Sequence, residues 1–231
     1  MTPREKILTR IAANLRRTRG AAVPSSQAHR APVRATAEPG RAPAGSLRDR
    51  FDAELVALGG IVHHVATAAD AVGLIVDVCG RHGASRVLAW DERFVGLAGL
   101  RSALSEHRIG YDTGWLPDGE PARTERLAGL GKIPVGVTGA IGAIAESGTI
   151  AVVSGPGRPR LASLLPPVHI AVLGVERIHA SLADLLAAHA GVVDDGSNLV
   201  LISGPSRTAD IEMTLTRGVH GPGEVQVILI G

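Results

Sequence analysis

Ile133-Pro-Val-Gly-Val-Thr-Gly-Ala-Ile-Gly-Ala-Ile-Ala-Glu-Ser-Gly-Thr149, continued by Ile150-Ala-Val-Val153, is the stretch from which the fold is read. An apolar run of strand length over 133–137 enters closely spaced glycines and a helix-like Ala-Ile-Ala segment, and a second apolar run follows over 150–153. Aliphatic strands with no polar face belong to a parallel sheet covered on both sides.

The same alternation extends outward in both directions. Upstream, Ser46 and Asp49 form a capping pattern ahead of Phe51, Leu55 and Leu58, and Gly59-Gly60 stops the helix. A strand near 61–66, a helix over 68–82 opened by Thr67 and Asp70, a strand over 85–90 and a helix to about 107 come next. A helix near 120–129 then leads into the quoted strand. Downstream the pattern gives a strand over 168–173, a capped helix over 181–190, a strand over 198–203, a loop and short helix over 204–216, and a last strand over 225–230. This predicts one α/β domain over 46–231 with a mainly parallel sheet flanked by helices.

Composition agrees. The 231 residues are 45% hydrophobic but only 2% aromatic, so Ala, Val, Leu and Ile must fill the core. Residues 3–19 read as an amphipathic helix, with Ile7, Leu8, Ile11 and Leu15 in one stripe, and the Pro-, Ala- and Arg-rich segment that follows reads as a linker. The segment 1–45 is therefore an N-terminal helix and flexible basic arm. Residues 1–50 hold eleven Lys and Arg against three acids, whereas the rest holds thirteen against nineteen. The arm has no aromatic residue on which a base would stack, so nucleic acid is not indicated. A single cysteine, Cys79, rules out a disulfide framework or a thiolate cluster held by this chain alone. The sequence predicts no metal site, no membrane span and a cytoplasmic location.

Two loops carry the chemistry. In the first, the spacing of Gly136, Gly139 and Gly142 fits neither the three-glycine dinucleotide pattern nor a phosphate loop. Glu146 is the one charged group between Lys132 and Arg158; an apolar setting would desolvate it and suit it to acid–base or nucleophilic work, while a solvent-facing or capping glutamate at a strand entrance is the plain alternative. In the second, Ser203-Gly-Pro-Ser-Arg-Thr-Ala-Asp-Ile-Glu212 puts hydroxyls and Arg207 where a strand is expected to hand over to a helix, an arrangement that would hold an anion. Asp210 and Glu212 would oppose it, and two residues apart on a helix they could not act as a pair. His220, in Gly218-Val-His-Gly-Pro-Gly223, offers a loop imidazole as a general base. His63 and His64 are adjacent on a strand and face opposite ways.

Together these two loops and the Gly-Val-His-Gly-Pro segment resemble the lactate-utilisation protein C family, of the LUD domain class, over about residues 47–231. The resemblance implies a three-layer fold similar to the NagB, ribose-5-phosphate isomerase and CoA-transferase superfamily. It also implies a subunit role in oxidising L-lactate to pyruvate, with iron–sulfur clusters in partner proteins rather than in this chain; the anion that the Arg207 loop would hold is then expected to be a small carboxylate. The positions carried over are Thr138, Gly139, Glu146, Ser147, Gly148 and Thr149, then Ser203, Gly204, Pro205, Ser206, Arg207, Thr208, Asp210 and Glu212, then His220 and Gly221. Glu146 and His220 are the proton-transfer candidates, and the loops around Arg207 are the ligand cradle. Two other readings stand beside this one: a CoA-transferase-like enzyme with Glu146 as nucleophile, and a non-catalytic assembly module that docks through its basic arm.

Overall fold

The computed structural model describes residue 5 and residues 8–10, 46–191, 196–209, 215–218 and 220–231. Residues 5 and 8–10 are helical, with the Thr9 hydroxyl donating to Glu5 O at 2.8 Å. The remainder of the expected N-terminal helix and the whole linker lie outside the described residues.

The domain opens with helix α1 (Leu47–Ala57), whose capping box at Ser46 and Asp49 is formed as the sequence predicts. Strand β1 (Ile61–Val65) and helix α2 (Ala68–Arg81, boxed by Thr67 and Asp70) follow, then β2 (Arg86–Ala89). The single helix expected up to about 107 is two, α3 (Glu92–Val95) and α4 (Leu100–Glu106), because Gly96 and Gly99 interrupt it with positive φ. A short strand β3 (Gly110–Asp112) precedes α5 (Ala122–Leu130) and β4 (Val135–Gly139).

Six strands form the main sheet in the order β1-β12-β7-β4-β2-β3, with β7 spanning Val168–Gly174 and β12 Glu224–Ile230, and every neighbouring pair is parallel. The middle strands explain the pattern read from sequence: all five residues of β4 and nearly all of β7 and β12 are buried, so a polar face would have nowhere to go. Helices flank this sheet in an α/β three-layer arrangement. The core is mostly aliphatic, with Phe51 and Trp90 its only buried aromatics among the described residues.

The sequence does not announce a second, mixed sheet. Its order is β8-β5-β6-β9, made of β5 (Gly142–Ile144), β6 (Thr149–Ser154), β8 (Ile178–His179) and β9 (Asn198–Ile202). The Ala-Ile-Ala segment expected to be helix-like is strand β5 running into one 3₁₀ turn, Ala145–Ser147. Helix α6 (Leu182–Ala188), boxed by Ser181 and Asp184, packs on β5 and β8, while α1 packs on β1, β8 and the 3₁₀ turn. The short helix expected over 204–216 is also corrected: Arg207–Ala209 (β10) and Leu215–Arg217 (β11) are strands paired antiparallel. Among the described residues no helix is long and apolar enough to cross a membrane.

Candidate functional site

In an open parallel sheet the carboxyl ends of the strands, with the loops that leave them, form the natural crevice for a ligand. Here β4, β7 and β12 end side by side at Gly139, Gly174 and Ile230, and a cleft of about 360 Å³ opens over them. One wall is α3 with Arg93, Phe94 and Gly96; the other is the 3₁₀ turn after β7 with Glu176 and Arg177.

Two glycines let these walls close. A Cβ on Gly139 would overlap Phe94 O, so α3 rests directly on the end of β4. A Cβ on Gly174 would overlap both carboxylate oxygens of Glu176, so that side chain lies folded over the end of β7. The guanidinium of Arg93 stacks on the Phe94 ring at 4.7 Å, with Arg158 on the same ring at 4.8 Å. The loop that carries Arg158 is tied to the end of β2: Asp91 N–H donates to Gly157 O at 2.7 Å and the Trp90 indole N–H to Pro159 O at 3.2 Å. Arg93 and Arg177 touch carboxylates only loosely, Asp91 at 3.5 Å and Glu176 at 3.6 Å, and both stay largely open to water. The cleft thus presents two exposed guanidinium groups and one carboxylate above a floor of Ala140, Val172 and Leu173.

The residues singled out from sequence are distributed differently. Gly139 lines this cleft; Thr138, one residue earlier, is fully buried and pairs through Oγ1 with His169 Nε2 at 2.9 Å. Ser147, Thr149 and Ser203 converge: Thr149 Oγ1 lies 2.8 Å from Ser147 Oγ and 2.7 Å from Ser203 Oγ, so the two loops do meet through a chain of hydroxyls. Gly148, at φ +56°, packs so close to Leu55 N that a Cβ would collide with it. Gly204 approaches Leu58, and the Arg207 guanidinium donates to Leu58 O, the carbonyl that ends α1. Ser206 N–H donates to Pro222 O at 2.8 Å and Gly218 N–H to Ser206 O at 3.0 Å, which joins the His220 loop to the second motif. The motif loops therefore clasp the C-terminal half of α1.

Glu146 is exposed rather than desolvated in an apolar setting: its Oε1 accepts the Leu182 N–H at 3.2 Å, at the entrance to α6. Solvent exposure agrees with the plain alternative of the sequence reading, but the group capped is a helix start rather than a strand entrance, which fits the preference of helix N-termini for negative charge. Arg207 turns to α1, Glu146 to α6, and exposed His220 sits before β12; the strand-end cleft is lined by none of the three. The expected helix start around Arg207 is absent because that segment is β10. Thr208 lies on this strand with its side chain outside the described residues, and Asp210 and Glu212 fall outside them altogether.

Sequence reasoning missed Arg93, Glu176 and Arg177. The available signal was positional, since each lies in the segment that leaves a strand of the parallel sheet, Arg93 in the short helix after β2 and Glu176 and Arg177 in the turn after β7. His63 and His64 take separate partners, Gln226 Oε1 and Asp52 Oδ2, both at 2.7 Å. Among the described residues no three His, Cys, Asp or Glu side chains are grouped to hold a metal. Cys79 is buried in α2, where desolvation pushes its thiol up to about 11.

The model of the LUD domain matches residues 48–230. The chain belongs to the LUD domain family. An uncharacterized protein of Neisseria meningitidis is 38% identical over 100 residues, 42% of each chain. A relative named lactate utilization protein C, from Exiguobacterium, is 35% identical over 153 residues, which is 64% of this chain and 62% of that one. The chain thus spans less than two thirds of the length of either relative. A crystal structure of a DUF162 family protein from Deinococcus radiodurans matches with a TM-score of 0.58 at 26% identity, covering 80% of this chain and 96% of that one.

Proposed function

We propose that this LUD chain takes part in L-lactate utilisation, the oxidation of lactate to pyruvate, as a cytoplasmic subunit beside iron–sulfur partner proteins. Its own task is to hold a small carboxylate at the carboxyl ends of the strands. The observation that carries this reading is the cleft over Gly139 and Gly174, where Arg93 and Arg177 stand without a tight ion pair. A guanidinium fork matches a carboxylate in plane and in charge, and among the lining residues two of them face the one carboxylate of Glu176, with Asp91 3.5 Å from Arg93 outside the lining. The name of the relative, lactate utilization protein C, supports lactate as the acid.

The chain's one cysteine is buried and held protonated, so it does not suit an iron–sulfur cluster, and electron transfer is assigned to the partners. In this reading the motif loops hold α1 in place. Glu146 and His220 are the proton-transfer groups of a variant reading, in which the anion sits on the motif loops instead.

Growth on L-lactate as sole carbon source tests the proposal. A strain lacking the gene fails to grow, wild type restores growth, and the Arg93→Ala/Arg177→Ala double variant does not. Normal growth of the deletion strain without another active lactate dehydrogenase, or full rescue by the double variant, contradicts it.

A further inference from the structure

Glu176 is the odd group in an otherwise cationic cleft. A site meant only for a carboxylate gains nothing from a second carboxylate at its wall, which repels the ligand by Coulomb's law. The exposed side chain is folded back over Gly174, into the space that a Cβ at 174 would fill. Gly174 has φ −78° and ψ 148°, an extended conformation open to every amino acid. Backbone geometry therefore does not require glycine there; the room it leaves is occupied by the Glu176 carboxylate.

A carboxylate oxygen accepts hydrogen bonds. We propose that Glu176 accepts the hydrogen bond of the ligand's 2-hydroxyl, so that the cleft selects 2-hydroxy acids over the corresponding 2-keto acids. This rests on the reading of the cleft as a carboxylate site. With the ligand's carboxylate on Arg93 and Arg177, its C2 oxygen is a donor in the hydroxy acid and turns lone pairs alone toward Glu176 in the keto acid. Two acceptors facing each other forfeit the bond and repel. The site then binds the reduced acid and releases the oxidised one, which suits a component that presents substrate to an oxidising partner.

Titration calorimetry on the full chain with L-lactate, pyruvate and propionate tests this. Propionate keeps the carboxylate and lacks the C2 oxygen. The expected result is L-lactate bound about fivefold to tenfold more tightly than either analogue, a modest factor because the side chain is exposed to water. Glu176→Gln, whose amide both donates and accepts, brings lactate and pyruvate to within about twofold. Gly174→Ala leaves the backbone unstrained and displaces the carboxylate, so it removes the preference with the Glu176 side chain still present. Equal affinities for all three acids in the wild type, or a preference that survives both variants, overturns the role of Glu176 and leaves the carboxylate site standing. Absence of binding for all three, or binding unchanged by Arg93→Ala/Arg177→Ala, overturns the carboxylate site and the selection with it.

Discussion

His169 shows how one residue can carry a property of the whole domain. It sits on β7 between Gly136 of β4 and Val225 of β12, fully buried, with Nε2 on the Thr138 hydroxyl and Nδ1 without a hydrogen-bond partner among the described residues. Burial penalises the charged imidazolium and pushes its pKa down to about 4, against about 6.5 in an unfolded chain. The folded state therefore binds this proton less readily than the unfolded one. Stability from the neutral imidazole is complete above about pH 6.5 and is lost as the pH falls toward about 4, by about 3 kcal/mol in all. Urea unfolding between pH 7.5 and 4.5 checks this: the midpoint falls with pH in the wild type, and His169→Gln removes most of the slope. Equal slopes in the two proteins would place the acid sensitivity elsewhere.

At the scale of elements, α1 is seated by loops far away in the sequence. Gly148 meets Leu55 N at φ +56°, and Arg207 donates to Leu58 O. Gly148→Ala strains the left-handed backbone and drives a methyl group into the helix, so it destabilises the domain by about 2–3 kcal/mol, read from the shift in urea midpoint. A shift below about 0.5 kcal/mol would show that α1 does not bear on this turn. The helices were legible because their signals are local: Ser46 with Asp49, Thr67 with Asp70 and Ser181 with Asp184 cap α1, α2 and α6 as their spacing implies. The strands β4, β7 and β12 were legible because burial on both faces leaves an aliphatic run. Strand β5 and the strands at 207–209 and 215–217 were not, since Ala-Ile-Ala and Ser-Arg-Thr-Ala-Asp read equally well as helix starts and only pairing with distant partners decides the matter. For the same reason Glu146 resembled a desolvated acid: its exposure and its bond to Leu182 depend on where α6 packs.

For the whole molecule the division is between two regions. The sequence motifs mark the clasp around α1 and the hydroxyl chain Ser147–Thr149–Ser203. The cleft over the strand ends is built from Arg93, Glu176 and Arg177, which belong to no motif and become visible only when β4, β7 and β12 are laid side by side. Of the first motif only Gly139 and its neighbour Ala140 line it, Gly139 where α3 needs a residue without a side chain. The two regions make opposite claims about where an anion goes. Amide chemical shifts of the ¹⁵N-labelled chain, recorded while L-lactate is added, decide between them. Binding at the strand-end cleft predicts saturable shifts at Gly96, Ala140 and Gly174, absent in the Arg93→Ala/Arg177→Ala variant. Shifts centred instead on Gly148, Ser203, Ser206 and Gly221, with the strand ends unmoved, would contradict it and return the ligand to the motif loops.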